Sequence, residues 1–189
     1  MALSYRGFWT SKGRASEKGI KLDAAAALAY VADRYPNASV ILWGQSIGAG
    51  VATSAAATHI NEGNLLSIDA LILETPFTSV RDMLTAMYPQ KWLPYRYLHP
   101  FLRTHWDSRQ ALAHIGQSEK KRPRILILAG QRDELVPPDH AQKLEGVCEA
   151  HQIPVTRVTI DSALHHEIMI KSAGRKALVE FIRRSVDHG

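Results

Sequence analysis

At 189 residues the chain has room for one domain with a sizeable core, and 46% hydrophobic with 22% charged residues is an ordinary globular balance. Its formal charge of +5 is spread thinly: apart from Lys120-Lys121-Arg122 there is no dense basic block, which argues against a nucleic-acid-binding module. One cysteine, Cys148, excludes an intramolecular disulfide, and no run of 18 apolar residues is present to span a membrane.

The opening stretch "MALSYRGF" lacks a charged region followed by an apolar core, so it does not read as a signal peptide, and "ALSY" (2–5) predicts a strand at the very start. Ser16 is placed to cap a helix over 17–35, where Ile20, Ala24, Leu28, Val31 and Tyr35 recur at helical spacing until Pro36-Asn37 ends it. "SVILW" (39–43) predicts a short buried strand. Residues 47–60 are small on every side and suit a helix packed closely on a sheet. "DALILE" (69–74) and "RILILAG" (124–130) predict two more buried strands. Residues 138–150 predict a helix with Ala141, Leu144, Val147 and Cys148 on one side, which makes Cys148 a buried structural thiol. "VTRVTI" (155–160) alternates like an edge strand, and 173–187 predict a last helix with Leu178, Phe181, Ile182 and Val186 facing inward.

Strands separated by helices imply a parallel sheet covered on both faces, the α/β class. The rhythm breaks over 78–122, which carries Tyr88, Trp92, Tyr95, Tyr97, Phe101 and Trp106 but no evident strand. It is expected to be a cap inserted over one end of the sheet, within a single domain of 1–189. Its alternative use is ordinary core packing.

Gly44-Gln45-Ser46-Ile47-Gly48 matches G-x-S-x-G between a buried strand and a helix of small residues. Such a corner lifts a serine hydroxyl clear of the sheet and aims the amide of Ile47, at a helix N-terminus, into the same space, where it can hold an oxyanion. Side chains at the flanking glycines are expected to collide with strand and helix. A serine needs a base, and the base needs a carboxylate to orient it. "GQRDELVPP" supplies Asp133 beyond the strong strand, with Glu134 beside it. "IDSALHHEIM" supplies His165 and His166 beyond the last strand. Asp161, Asp107 and Glu74 are competing acids.

This ordered set resembles the α/β-hydrolase fold family, in particular its subgroup of lipid-ester hydrolases, lysophospholipid and monoacylglycerol lipases and protein depalmitoylases. "YRGFWTSKGRASEKGIKLDAAAALAYV", "WGQSIGAGVAT", "LILETPFTSVRDM", "GQRDELVPP" and "LHHE" carry the resemblance over almost the whole chain. It implies Ser46 as nucleophile, Asp133 as acid and His165 as base, with His166 the alternative base. It further implies an oxyanion donor at Ile47, no metal or cofactor, and an acyl or lipid-like ester or thioester substrate. The aromatic stretch 80–106 stands where the family carries a variable cap. Trp9 replaces a small glycine of the family pattern and is expected to crowd the site. The chain starts at what corresponds to the family's fourth strand. Strands one to three, and the loop that gives a second oxyanion donor, are therefore expected to be missing through truncation, at about 10²–10³ in rate for the lost donor. Residues 2–5 would then be unpaired or slid against 39–43. The alternative function is a catalytically weak or inactive scaffold. The expected location is cytoplasmic or membrane-peripheral, with any membrane attachment in a lost N-terminal segment.

Overall fold

The computed structural model describes residues 1–63, 66–87 and 104–186. Four parallel strands, β1 (Val40–Gln45), β2 (Ile68–Glu74), β3 (Arg124–Gly130) and β4 (Val155–Ile160), form a sheet in the order β1-β2-β3-β4. Gln45 stands beside Glu74, Glu74 beside Leu128, and Gly130 beside Ile160, so the carboxyl ends of all four strands open onto one rim.

Helix α1 (Glu17–Arg34) starts where expected, with the Ser16 hydroxyl accepting the Gly19 amide. Ile20, Ala24 and Leu28 are buried, but Tyr35 lies past the last turn and is exposed. α2 (Ile47–Asn61) buries Ala49, Gly50, Val51, Ala52, Ala56 and Ala57, whose lack of bulk lets the helix lie close to the sheet. α3 (Val80–Met87) and α4 (Ser108–Gln117) follow β2, and α5 (Asp139–Ala150) and α6 (Ser172–Val186) follow β3 and β4. α2, α4 and α5 cover one face, where Leu71, Leu73, Leu112, Ile115, Ile125, Ile127 and Leu144 form the main core. α6 covers β3 and β4 on the other face, where Phe181 meets Ile72, Leu126 and Leu128. Each of these side chains stabilises the fold by about 1.5–3 kcal/mol on burial.

Cys148 lies in the main core, and burial, reinforced by Glu145 and Glu149, pushes its thiol up to about 12, which makes it an inert packing residue. Within the 78–122 span, α4 belongs to the main core through Leu112 and Ile115. Trp106 is also buried, while Tyr88, Trp92, Tyr95, Tyr97 and Phe101 lie outside the described residues.

The strand expected over 2–5 does not form. Among the described residues, 1–5 have no ladder partner and β1 pairs only with β2. The chain is instead drawn onto α1, where the Arg6 guanidinium and amide both bond the Asp23 carboxylate. Trp9 is 95% exposed, so among the described residues it packs against nothing that it could crowd. Its φ of +48° is the left-handed backbone in which a glycine is at ease.

Candidate active site

The polypeptide turns from β1 into α2 within one residue. Ser46 takes φ +52° and ψ −116°, a conformation that costs a non-glycine residue about 1–3 kcal/mol. Two features enforce it. The Ser46 amide donates to the Glu74 carbonyl at 2.9 Å, tying the corner to the neighbouring strand. At Gly44 a Cβ would lie 2.0 Å from the Gly48 carbonyl oxygen, so only glycine lets the strand meet the helix so closely. Gly48 differs from expectation: a Cβ there meets open space, so packing does not demand glycine at that position. The Ser46 side chain makes no capping bond to α2. Ala49 and Gly50 donate to the Ser46 carbonyl, while the Ile47 amide belongs to the first turn, where a helix leaves donors without intrahelical acceptors.

On the same rim the loops after β3 and β4 are stitched together. Gln131 N donates to Ile160 O at 3.0 Å and Arg132 N to Ala163 O at 3.1 Å. Gly130 permits this approach, because its Cβ would lie 2.5 Å from the Ala163 carbonyl oxygen. The result is a two-point grip on His165. Its Nδ1 lies 2.9 and 3.0 Å from the two Asp133 carboxylate oxygens, with both side chains only 2% exposed. Its main-chain N–H donates to Glu134 Oε2 at 3.0 Å.

Asp133 is itself held. Its Oδ1 accepts the amides of Leu135 at 2.9 Å and Val136 at 2.7 Å. Burial alone would raise this carboxyl, but the His165 bond and the two amides outweigh it and keep Asp133 below the usual carboxylate range. It is thus an anion at neutral pH. A carboxylate at Nδ1 fixes the proton on that nitrogen and leaves Nε2 as the acceptor.

Asp133 and His165 are therefore brought together, and Ser46 with the Ile47 amide stands at the same rim. Among the described residues, no hydrogen bond joins the Ser46 hydroxyl to an imidazole. His166 is exposed and meets His165 edge-on, ring centres 4.8 Å apart, without bonding Asp133. Of the other acids, Asp161 is exposed and Asp107 caps α4 by accepting from Gln110 N. Glu74 is buried in the last row of β2. What sequence reasoning missed is the use of Glu134 and Gly130. Only the adjacency of Glu134 to Asp133 hinted at the first, and no local signal marked the second.

A second network joins the loop after β2 to α5. His140 Nδ1 accepts the Thr78 amide at 3.2 Å and sits 2.9 Å from the Thr78 hydroxyl, which donates to Asp82 at 2.8 Å. Burial depresses the His140 pKa, so a neutral ring joins the start of α5 to the start of α3.

The family described as "alpha/beta hydrolase fold" matches residues 1–124. Protein bem46 of Schizosaccharomyces pombe is 36% identical over 149 residues, covering 77% of this chain and 45% of the relative. The lysophosphatidylserine lipase ABHD12 of Danio rerio is 28% identical over 200 aligned residues, covering 100% of this chain and 51% of the relative. The chain thus spans about half the length of these curated relatives. Among solved structures, the Pyrococcus furiosus esterase Pf2001 shares the fold with a TM-score of 0.65 at 23% identity, over 95% of this chain and 66% of that one.

Proposed function

The chain belongs to the α/β-hydrolase fold family, and from that premise we propose that it hydrolyses carboxylic esters or thioesters of acyl, lipid-like substrates through Ser46, Asp133 and His165. The observation that carries the proposal is the buried Asp133–His165 pair, held on the rim where Ser46 stands on its strained corner. Neither feature has an evident packing use. A buried carboxylate and a left-handed serine both cost stability, and both fit a nucleophile with its base.

In the proposed reaction the Ser46 hydroxyl gives its proton to His165 Nε2 as Oγ bonds to the acyl carbon. The carbonyl electrons move onto oxygen, which accepts the Ile47 N–H. Asp133 holds the imidazolium through Nδ1–H. As the tetrahedral adduct collapses, the imidazolium returns its proton to the departing alkoxide or thiolate, leaving an acyl-serine. Water, deprotonated by Nε2, then adds to the acyl carbon, and release of the acid restores the Ser46 hydroxyl. The lipase named among the relatives makes a lysophospholipid ester the first natural substrate class to try.

The test is hydrolysis of p-nitrophenyl acyl esters and of lysophospholipids by the wild-type chain and by Ser46→Ala. Turnover that falls at least about 10³-fold in the variant supports the proposal. Equal turnover in the two chains removes it.

A further inference from the structure

Glu74 is an acid in an unusual place. Its strand reads Ile-Asp-Ala-Leu-Ile-Leu-Glu, and Ala70, Leu71, Ile72 and Leu73 are all at most 1% exposed. Glu74 continues that burial at 4% exposure, in the row beside Gln45 and one residue from the serine corner. By strand alternation it shares a face with Ala70 and Ile72. On that face the histidine loop packs through Ala163 and Ile168. The carboxylate is gripped by two neutral donors, the Trp43 indole Nε1 at 3.1 Å and the Gln45 amide at 3.3 Å. No fixed cation is paired with it among the described residues. Its third neighbour in the sheet, Leu128, is apolar. The titratable groups whose charge reaches it are His165 and His166, and Asp133 acts on His165 from the acid loop.

A buried carboxylate without a cation is costly, and a leucine would continue the strand's pattern at lower cost. Among the described residues, the cation that would offset the cost arises only when the imidazole takes up a proton. We infer that Glu74 is a positioning residue for the proposed reaction: clamped by Trp43 and Gln45 beneath the serine corner, its carboxylate favours the imidazolium state of His165 while the acyl group is transferred. The inference rests on the triad proposed above. Burial raises the carboxyl, the Trp43 bond and the two histidines oppose that rise, and the group is accordingly sensitive to the charge state of the loop above it.

Glu74→Gln keeps the shape and an acceptor but removes the charge. The histidine titrations are followed by imidazole ¹⁵N NMR, and kcat/KM is measured against pH. The expected result is a His165 pKa and an acid limb both displaced to lower pH by about half a unit or more, with plateau kcat down about 3–10-fold. An unshifted His165 titration overturns the inference, whatever happens to the rate, because a purely structural role lowers the rate without moving that titration. If Glu74→Gln does not fold, Trp43→Phe strips the carboxylate of its indole donor and makes it easier to protonate. The same displacement, smaller in size, is expected, and its absence again overturns the inference. Fluorophosphonate labelling of Ser46 in the wild-type chain judges the triad separately, since the NMR titration needs no catalysis.

Discussion

Replacing Asp133 by asparagine separates the part the carboxylate plays in holding the fold from its proposed part in orienting the base. The carbonyl oxygen of the new amide can still accept the Leu135 and Val136 N–H groups, which Asp133 Oδ1 holds at 2.9 and 2.7 Å, so the loop keeps two of its ties. What changes is the group facing His165 Nδ1. An amide NH₂ there is a donor, so the ring must move its proton to Nε2 to accept it. Nε2 then cannot take the serine proton. In serine-hydrolase triads this tautomer reversal costs about 10⁴ in kcat, or about 5.4 kcal/mol of barrier. The stability loss is much smaller. One charge-assisted hydrogen bond becomes a neutral one in a closely matching shape, a loss of about 1 kcal/mol. Ester turnover and urea unfolding on the same preparation give both numbers. A folded Asp133→Asn chain that keeps turnover within about tenfold of wild type would refute the assignment of Asp133 as the orienting acid.

Glu134 holds the histidine loop by its main chain, so Glu134→Ala is expected to lower kcat about 3–10-fold, while Glu134→Gln, which retains an acceptor oxygen, restores most of it in the same ester assay. Ser46→Gly removes the proposed nucleophile and the left-handed strain together; urea unfolding is expected to show a gain of about 1 kcal/mol while turnover is lost, and a destabilised variant would contradict the strain reading. Asp133 has a folded pKa below its unfolded value, so its contribution is complete above the unfolded pKa of about 3.9 and is lost as pH falls through the lower folded value. Urea midpoints measured from pH 6 downward should therefore decline through that acid range in the wild type, and less steeply in Asp133→Asn.

The elements legible in the sequence were those whose cause is local. Ser16 caps α1 because its hydroxyl reaches an amide three residues on. β2 and β3 were visible as uninterrupted apolar runs because both their faces are covered. The strand expected over 2–5 failed because a strand needs a ladder partner, and the spacing of four residues cannot say whether one is present. Arg6 and Asp23, 17 positions apart, decide instead where that segment lies. The same division holds in the site. G-x-S-x-G and the Asp133 loop are short motifs set by one turn each. Which imidazole turns inward depends on how the two loops meet, and that meeting buries His165 against Asp133 and leaves His166 exposed. Gly130 and Glu134 act across that same junction, so nothing in their own surroundings in the sequence marks them.

The proposed activation of Ser46 by His165 is checked by treating the wild-type, His165→Ala and His166→Ala chains with a fluorophosphonate and mapping the adduct by peptide mass. Activation by His165 requires rapid modification of Ser46 in the wild type and in His166→Ala, and labelling slowed at least about 10³-fold in His165→Ala. Modification at another residue, or equal labelling of Ser46 with His165 removed, would contradict it.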